Sequence, residues 1–85
     1  MIIVSQIKEM IVNFDTICVL GINKNNPKEI LSTTNNGNTQ TLGAYVTASR
    51  AQEVLQEIVS KYRQYNLDNN KAVTILPKVY EMPKE

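Results

Sequence analysis

Leu42-Gly43-Ala44-Tyr45-Val46-Thr47 is the stretch whose reading decides the fold. Read as a strand of period two, it puts Leu42, Ala44 and Val46 on one face and Gly43 and Tyr45 on the other. Thr47 then offers an N-cap, and Ser49 with Gln52 offers a competing capping box just behind it. Beyond the cap, Ala51, Val54, Leu55, Ile58, Val59 and Tyr62 recur at the i, i+3, i+4, i+7 spacing of one apolar stripe. Arg50, Glu53, Glu57 and Lys61 occupy the opposite side. Glu57 and Lys61 stand in the favourable order for an i, i+4 ion pair. The stretch therefore predicts a strand, a threonine corner and one long helix running from Ala48 to an end near Tyr65 to Leu67.

Upstream of the corner, Asn36-Gly37 is a strong hairpin signal, because a type I′ turn needs positive φ at both central residues. It joins a strand over 29–33 to the strand over 39–46. Before it, Asn23 to Pro27 is a turn cluster that follows Ile17-Cys18-Val19-Leu20-Gly21-Ile22. That run is apolar on both parities, the pattern of a strand covered on both faces or central in its sheet. Residues 2–5 and 10–14 read as two short strands paired across Gln6 to Glu9. Asp15-Thr16 breaks the apolar run. Downstream of the helix, 72–76 reads as an extended segment and 79–82 as a last short strand. The N- and C-terminal strands are expected to pair or lie close, since frayed ends would otherwise expose apolar side chains. The fold class that follows is α+β, with about five or six short strands in one antiparallel sheet and one amphipathic helix packed across it.

The totals fit a single domain over residues 1–85. A chain of this size buries only roughly 60% of its unfolded surface, so its core is thin. With nine basic and eight acidic residues the formal charge is +1, which gives no steering of nucleic acid or of an anionic membrane surface. No apolar run approaches the roughly 20 residues of a membrane helix, and the opening Met1-Ile2-Ile3-Val4-Ser5-Gln6 lacks the basic start of a signal peptide. A cytoplasmic setting is expected, with Cys18 a reduced and buried thiol.

Apolar supply exceeds what one helix can cover. Ile2, Ile3, Val4, Ile11, Val12 and the run from Ile17 to Leu20 place large side chains on both strand faces. The second face must be closed by curling of the sheet, by residues 71–82, or by another chain. Large uncovered apolar patches are uncommon on monomers, so a homo-oligomer is expected, with a sheet face or edge in the interface.

Chemistry is sparse. The chain has no histidine, so its serines lack the commonest activating base. Cys18 in an apolar strand would be an inert thiol, Asp15 and Glu81 could meet near strand ends, and no glycine-rich phosphate loop is present. Enzymatic activity, a metal site and a cofactor are not expected. Binding is the remaining class. Gly43 inside a strand marks a bulge, tight packing or a close approach of a ligand to the backbone. Tyr45, on the parity opposite Leu42, Ala44 and Val46, is the tyrosine the core least needs. Arg50 is a cation in the first helical turn, where it opposes the helix dipole and favours an anionic partner. Gly43, Tyr45 and Arg50 are the candidate ligand-binding residues.

Several stretches together resemble a family of short, uncharacterised proteins of Gram-positive bacteria and their phages and mobile elements. They are Met1-Ile2-Ile3-Val4-Ser5-Gln6, Ile11-Val12-Asn13-Phe14-Asp15, Leu42-Gly43-Ala44-Tyr45-Val46-Thr47, Arg50-Ala51-Gln52-Glu53-Val54-Leu55 and Val79-Tyr80-Glu81-Met82-Pro83. Ala48 and Ser49 stand where acidic residues look more usual in that family. The resemblance implies no named activity and supplies no catalytic residues. It implies a mobile-element setting, in which small non-enzymatic proteins often act against host defence. The expected function is an oligomeric binding protein that sequesters a nucleotide-like small ligand. The alternative is a protein–protein interaction module, directed at a host protein and without a small ligand.

Overall fold

The structure, a computed structural model, describes residues 1–69 and 79–85. The elements are β1 (Ile2–Val4), β2 (Ile11–Asn13), a 3-10 turn (Phe14–Thr16), β3 (Ile17–Asn23), β4 (Asn26–Thr34), β5 (Thr39–Ala44), α1 (Ala48–Asn69) and β6 (Val79–Glu81). The fold is α+β, as the pattern implies. The single antiparallel sheet is corrected to two three-stranded sheets, ordered β2-β1-β6 and β3-β4-β5. One pairing is parallel, that of β1 with β6, with Ile3 opposite Tyr80. The two ends of the chain thus pair, as expected of short apolar strands.

The division falls at Phe14–Thr16. Asn13 caps this turn, its Oδ1 accepting the Asp15 N–H at 3.0 Å, while Thr16 Oγ1 donates to the Asn13 carbonyl at 2.9 Å. Asn and Thr side chains that bond their own backbone compete with the sheet ladder. The chain therefore leaves the first sheet after Asn13 and starts a second one at Ile17. Asp15 and Glu81, which sequence alone could bring together, end at opposite ends of the first sheet. Glu81 sits level with Val4, whereas Asp15 follows Asn13, which sits level with Ile2.

Both sheets turn one face to a common core. Met1, Ile3, Val12, Tyr80 and Met82 come from the first sheet and its flanks. Ile30 and Leu42 come from the second sheet, and Ala51, Val54 and Ile58 from the helix. Phe14 stacks on Tyr62 with ring centres 4.4 Å apart, which makes Tyr62 the structural residue its place in the stripe implies. The strand β3 departs from expectation. It is an edge strand rather than a central one. Leu20 and Ile22 lean on the core, but Val19 is 60% exposed and Cys18 is exposed rather than buried. A shift in register between Ile17 and Val19 turns Cys18 out of the alternation.

The helix begins where the sequence places it. Thr47 Oγ1 accepts the Arg50 N–H at 3.1 Å, and the Thr47 carbonyl accepts the Ala51 N–H at 3.2 Å. It ends later than expected, at Asn69. The hairpin at Asn36-Gly37 forms with a different turn. Gly37 N–H donates to the Thr34 carbonyl at 3.0 Å, and φ is +87° at Gly37 but not positive at Asn36. This is a right-handed turn closed by one left-handed residue, a common longer hairpin loop. The extended segment expected over 72–76 lies outside the described residues. Among the described residues no helix is long and apolar enough to cross a membrane.

Candidate functional site

The corner between β5 and α1 is built on a bulge. Ile30 of β4 sits opposite Gly43, but its neighbour Leu31 sits opposite Thr41, so Leu42 is the extra residue of β5. A bulge reverses the side-chain alternation beyond it. Leu42 and Gly43 are therefore both buried, and Tyr45 follows Gly43 inward at 5% exposure. Ala44 is exposed and Val46 is 83% exposed. The strand faces read from sequence are thus corrected past Leu42. Tyr45 belongs to the core, and Ala44 and Val46 do not.

Gly43, Tyr45 and Arg50 do come together, and each of them meets residues 82–85 of the same chain. A Cβ built on Gly43 would stand 2.9 Å from the Met82 ε-methyl and 3.3 Å from both Gln6 Cβ and Tyr45 Cε2. The glycine thus makes the hollow that Met82 fills. The Tyr45 hydroxyl donates to the Pro83 carbonyl at 2.9 Å. Arg50 Nε donates to the Glu85 carbonyl at 3.0 Å. Gln6 completes the set, its Nε2 donating to the Lys84 carbonyl at 2.8 Å. Tyr45 and Arg50 take the carbonyls of Pro83 and Glu85, and Gln6 takes the one between.

Arg50 is balanced where it stands. One of its terminal nitrogens lies 3.4 Å from Glu53 Oε1 and 3.3 Å from Glu57 Oε2. Its guanidinium carbon lies 6.0 Å from the centre of the Tyr45 ring, at the limit of a cation–π contact. Two carboxylates offset the unfavourable placing of a cation at a helix start. Glu57 is also the acceptor for Tyr80, whose hydroxyl donates to Oε1 at 3.2 Å. Glu57 thus pairs with Arg50, seven residues before it on the same helix, and reaches β6 through Tyr80. Burial pushes the Tyr45 phenol above its ordinary value, opposed by Arg50 and reinforced by Glu57. Burial pushes Tyr80 up further, and the charge of Glu57 and its hydrogen bond add to the effect. Both tyrosines stay neutral and act as donors.

Two open depressions flank the corner. One, about 690 Å³, lies along the outer side of α1 beside Arg50, Glu53 and Glu57. The other, about 600 Å³, lies among Gln6, Ile7, Lys8 and Lys84. Among the described residues no cluster of His, Cys, Asp and Glu could hold a metal ion.

Gln6, Glu57 and Met82 are the corner residues that sequence reasoning missed. Gln6 looks like a turn residue and Glu57 like a solvated helix position. Their contacts bridge 78 residues in the case of Gln6 to Lys84 and 23 in the case of Tyr80 to Glu57, so no local spacing could reveal them. Comparison of the chain with protein-family models, with curated proteins and with solved structures finds no match.

Proposed function

We propose that the chain is a small, non-enzymatic protein–protein interaction module that associates with a second copy of itself through the outer face of its first sheet. The observation that carries this reading is a row of apolar side chains. Ile3, Val12 and Tyr80 point into the core. The opposite parity of the same strands carries Ile2, Val4, Ile11 and Val79, with Asn13 and Glu81 at two corners of the group. The register sets Ile11 beside Val4, and Ile2 beside Val79. Ile11 is 72% and Val79 is 57% exposed. These four side chains gain nothing from water, and grouped patches of this kind mark interaction surfaces. The pairing of one sheet face with its own copy is the simplest closed arrangement.

Sedimentation of the chain at high micromolar concentration tests the reading. A dimer is expected, and Ile11→Glu is expected to give a folded monomer with an unchanged circular dichroism spectrum. A monomeric parent chain overturns it.

A second reading rests on the Arg50 guanidinium beside the Tyr45 ring. A cation next to a flat ring suits a nucleotide-like ligand, with Gly43 at its edge. In the mobile-element setting that the family resemblance implies, such a protein would sequester a host defence signal in the cytoplasm. Residues 83–85 would have to give up their hydrogen bonds, and a phosphate would have to compete with Glu53 and Glu57 for Arg50. For those reasons this reading stands second. A rise in melting temperature with one member of a nucleotide and cyclic-nucleotide panel supports it, by linkage of binding to stability. No rise with any member removes it.

A further inference from the structure

We propose that Asn36 is a site of self-modification, losing its side-chain amide to attack by the Gly37 nitrogen, and that Thr34 is the positioning residue that sets the rate.

Asn36 is the one asparagine of the chain that glycine follows. Glycine has no Cβ to crowd its own nitrogen and its backbone turns freely, so that nitrogen reaches a preceding side chain with the least hindrance. In the reaction the Gly37 nitrogen gives its proton to a base from solvent and bonds to Asn36 Cγ. The Cγ–Nδ2 bond breaks, the side-chain nitrogen leaves as ammonia, and a five-membered imide closes. Water then opens the ring at either carbonyl. One opening leaves aspartate at residue 36. The other leaves isoaspartate, whose main chain runs through Cβ and Cγ and is one carbon longer. Asn36 and Gly37 are both exposed, so water and base reach them.

The fold holds the reacting atoms apart through Thr34. The Gly37 N–H donates to the Thr34 carbonyl at 3.0 Å. The Thr34 hydroxyl donates to Asn36 Oδ1. Thr34 itself is fixed at the end of β4, its N–H donating to the Asn38 carbonyl at 2.9 Å. In a right-handed turn the residue before the closing one has ψ of about 0°. That rotates the Gly37 nitrogen away from the Asn36 Cβ, whereas the imide ring needs the two eclipsed. Reaction therefore waits for the turn to open, which breaks the bond between Gly37 and Thr34 and frees the Asn36 side chain. Opening of an exposed hairpin tip is a local event and leaves the core folded. The hydroxyl on Oδ1 also draws electrons from Cγ, but this aids attack only when the nitrogen is within reach. Both products carry a carboxylate, which takes the formal charge of +1 down by one. Isoaspartate also lengthens the turn between β4 and β5, the strand that carries the Leu42 bulge and leads to the Gly43 corner.

The test follows the folded chain at physiological temperature and mildly alkaline pH. Digestion under mildly acidic conditions and mass spectrometry locate each side-chain nitrogen replaced by oxygen. A peptide of residues 31–40 gives the unguarded rate. The chain is expected to convert at Asn36, with Asn35 and Asn38 unchanged, about tenfold or more slowly than the peptide because the turn must first open. Thr34→Val, or Thr34→Ala where the valine variant does not fold, is expected to react about two- to tenfold faster than the parent, having lost one hydrogen bond. Thr34→Ser should restore the parent rate. Gln6→Ala weakens the fold at the far end of β5 and should leave the rate unchanged. No product at Asn36 while the peptide converts, or conversion as fast as in the peptide, overturns the proposal. A rate in Thr34→Val or Thr34→Ala no higher than in the parent removes the role of Thr34. A rise in Gln6→Ala equal to that in the Thr34 variant would make global unfolding the limiting step, and removes it as well.

Discussion

The Gln6 side chain and the Ala44 backbone tie the two sheets together: Gln6 Oε1 accepts the Ala44 N–H at 2.6 Å. Gln6 N–H also donates to the Leu42 carbonyl at 3.0 Å, and Nε2 holds Lys84. Only one orientation of the amide satisfies both the N–H of Ala44 and the carbonyl of Lys84. One glutamine from the end of β1 thus joins β5 and the segment after β6. Gln6→Ala is expected to destabilise the chain by about 1–2 kcal/mol, the cost of losing two hydrogen bonds at a partly buried site. Gln6→Glu keeps the acceptor for Ala44 but turns a second acceptor on Lys84, so it should recover only part of that loss at neutral pH. Urea denaturation of the three proteins checks the order. Equal stability of Gln6→Ala and the parent would show that the link contributes nothing.

Gly43 and Met82 are expected to behave as one unit. A Cβ at residue 43 would approach the Met82 ε-methyl to 2.9 Å. The backbone at Gly43 has no positive φ, so the cost of Gly43→Ala is crowding and not strain. The far end of a methionine can shift, and about 1–2 kcal/mol of destabilisation is expected. Met82→Ala removes a fully buried side chain and should cost about 2–4 kcal/mol. The double variant should be more stable than the sum of the two losses implies, because the new methyl enters the space Met82 vacates. Strict additivity in a denaturation cycle would break the link between them.

Alkaline pH should destabilise the chain through its buried phenols. Tyr45 and Tyr80 are both held above the ordinary value, first by burial and then by Glu57. The folded state therefore binds more protons than the unfolded one once the unfolded phenols begin to ionise. Their contribution is fully present below the ordinary tyrosine value of about 10. It is lost as pH rises from there through the folded values. Tyr80→Phe should lower stability at neutral pH by about 1–2 kcal/mol, since it removes a bond to a charged acceptor, and should flatten the alkaline decline. Guanidinium titrations from neutral pH to pH values above that of a free phenol check both effects. The same alkaline slope in Tyr80→Phe and the parent would exclude Tyr80 as a source.

The helix start, the place of the Asn36-Gly37 hairpin and the strand positions were legible because each is decided within a few residues. Thr47 caps α1 through an atom three residues away, and Gly37 supplies the one left-handed residue its loop needs. The candidate residues were found as a cluster for a partly different reason. Gly43 signalled close packing, and the packing is real, but its partner is Met82. Arg50 signalled an acceptor, and its acceptors are Glu53, Glu57 and the Glu85 carbonyl.

Sequence by itself determined the class of fold, the order of its elements and the capped helix, since side-chain period and backbone preference act locally. Tertiary structure alone decided that the strands divide into two sheets at Asn13. It also decided that Leu42 bulges and reverses the faces of Tyr45 and Val46, and that residues 82–85 occupy the corner. A bulge depends on the register of the partner strand, and the corner depends on contacts between residues 38 and 78 apart. Packing free energy summed over the whole core sets both, and no short stretch of the chain carries that sum.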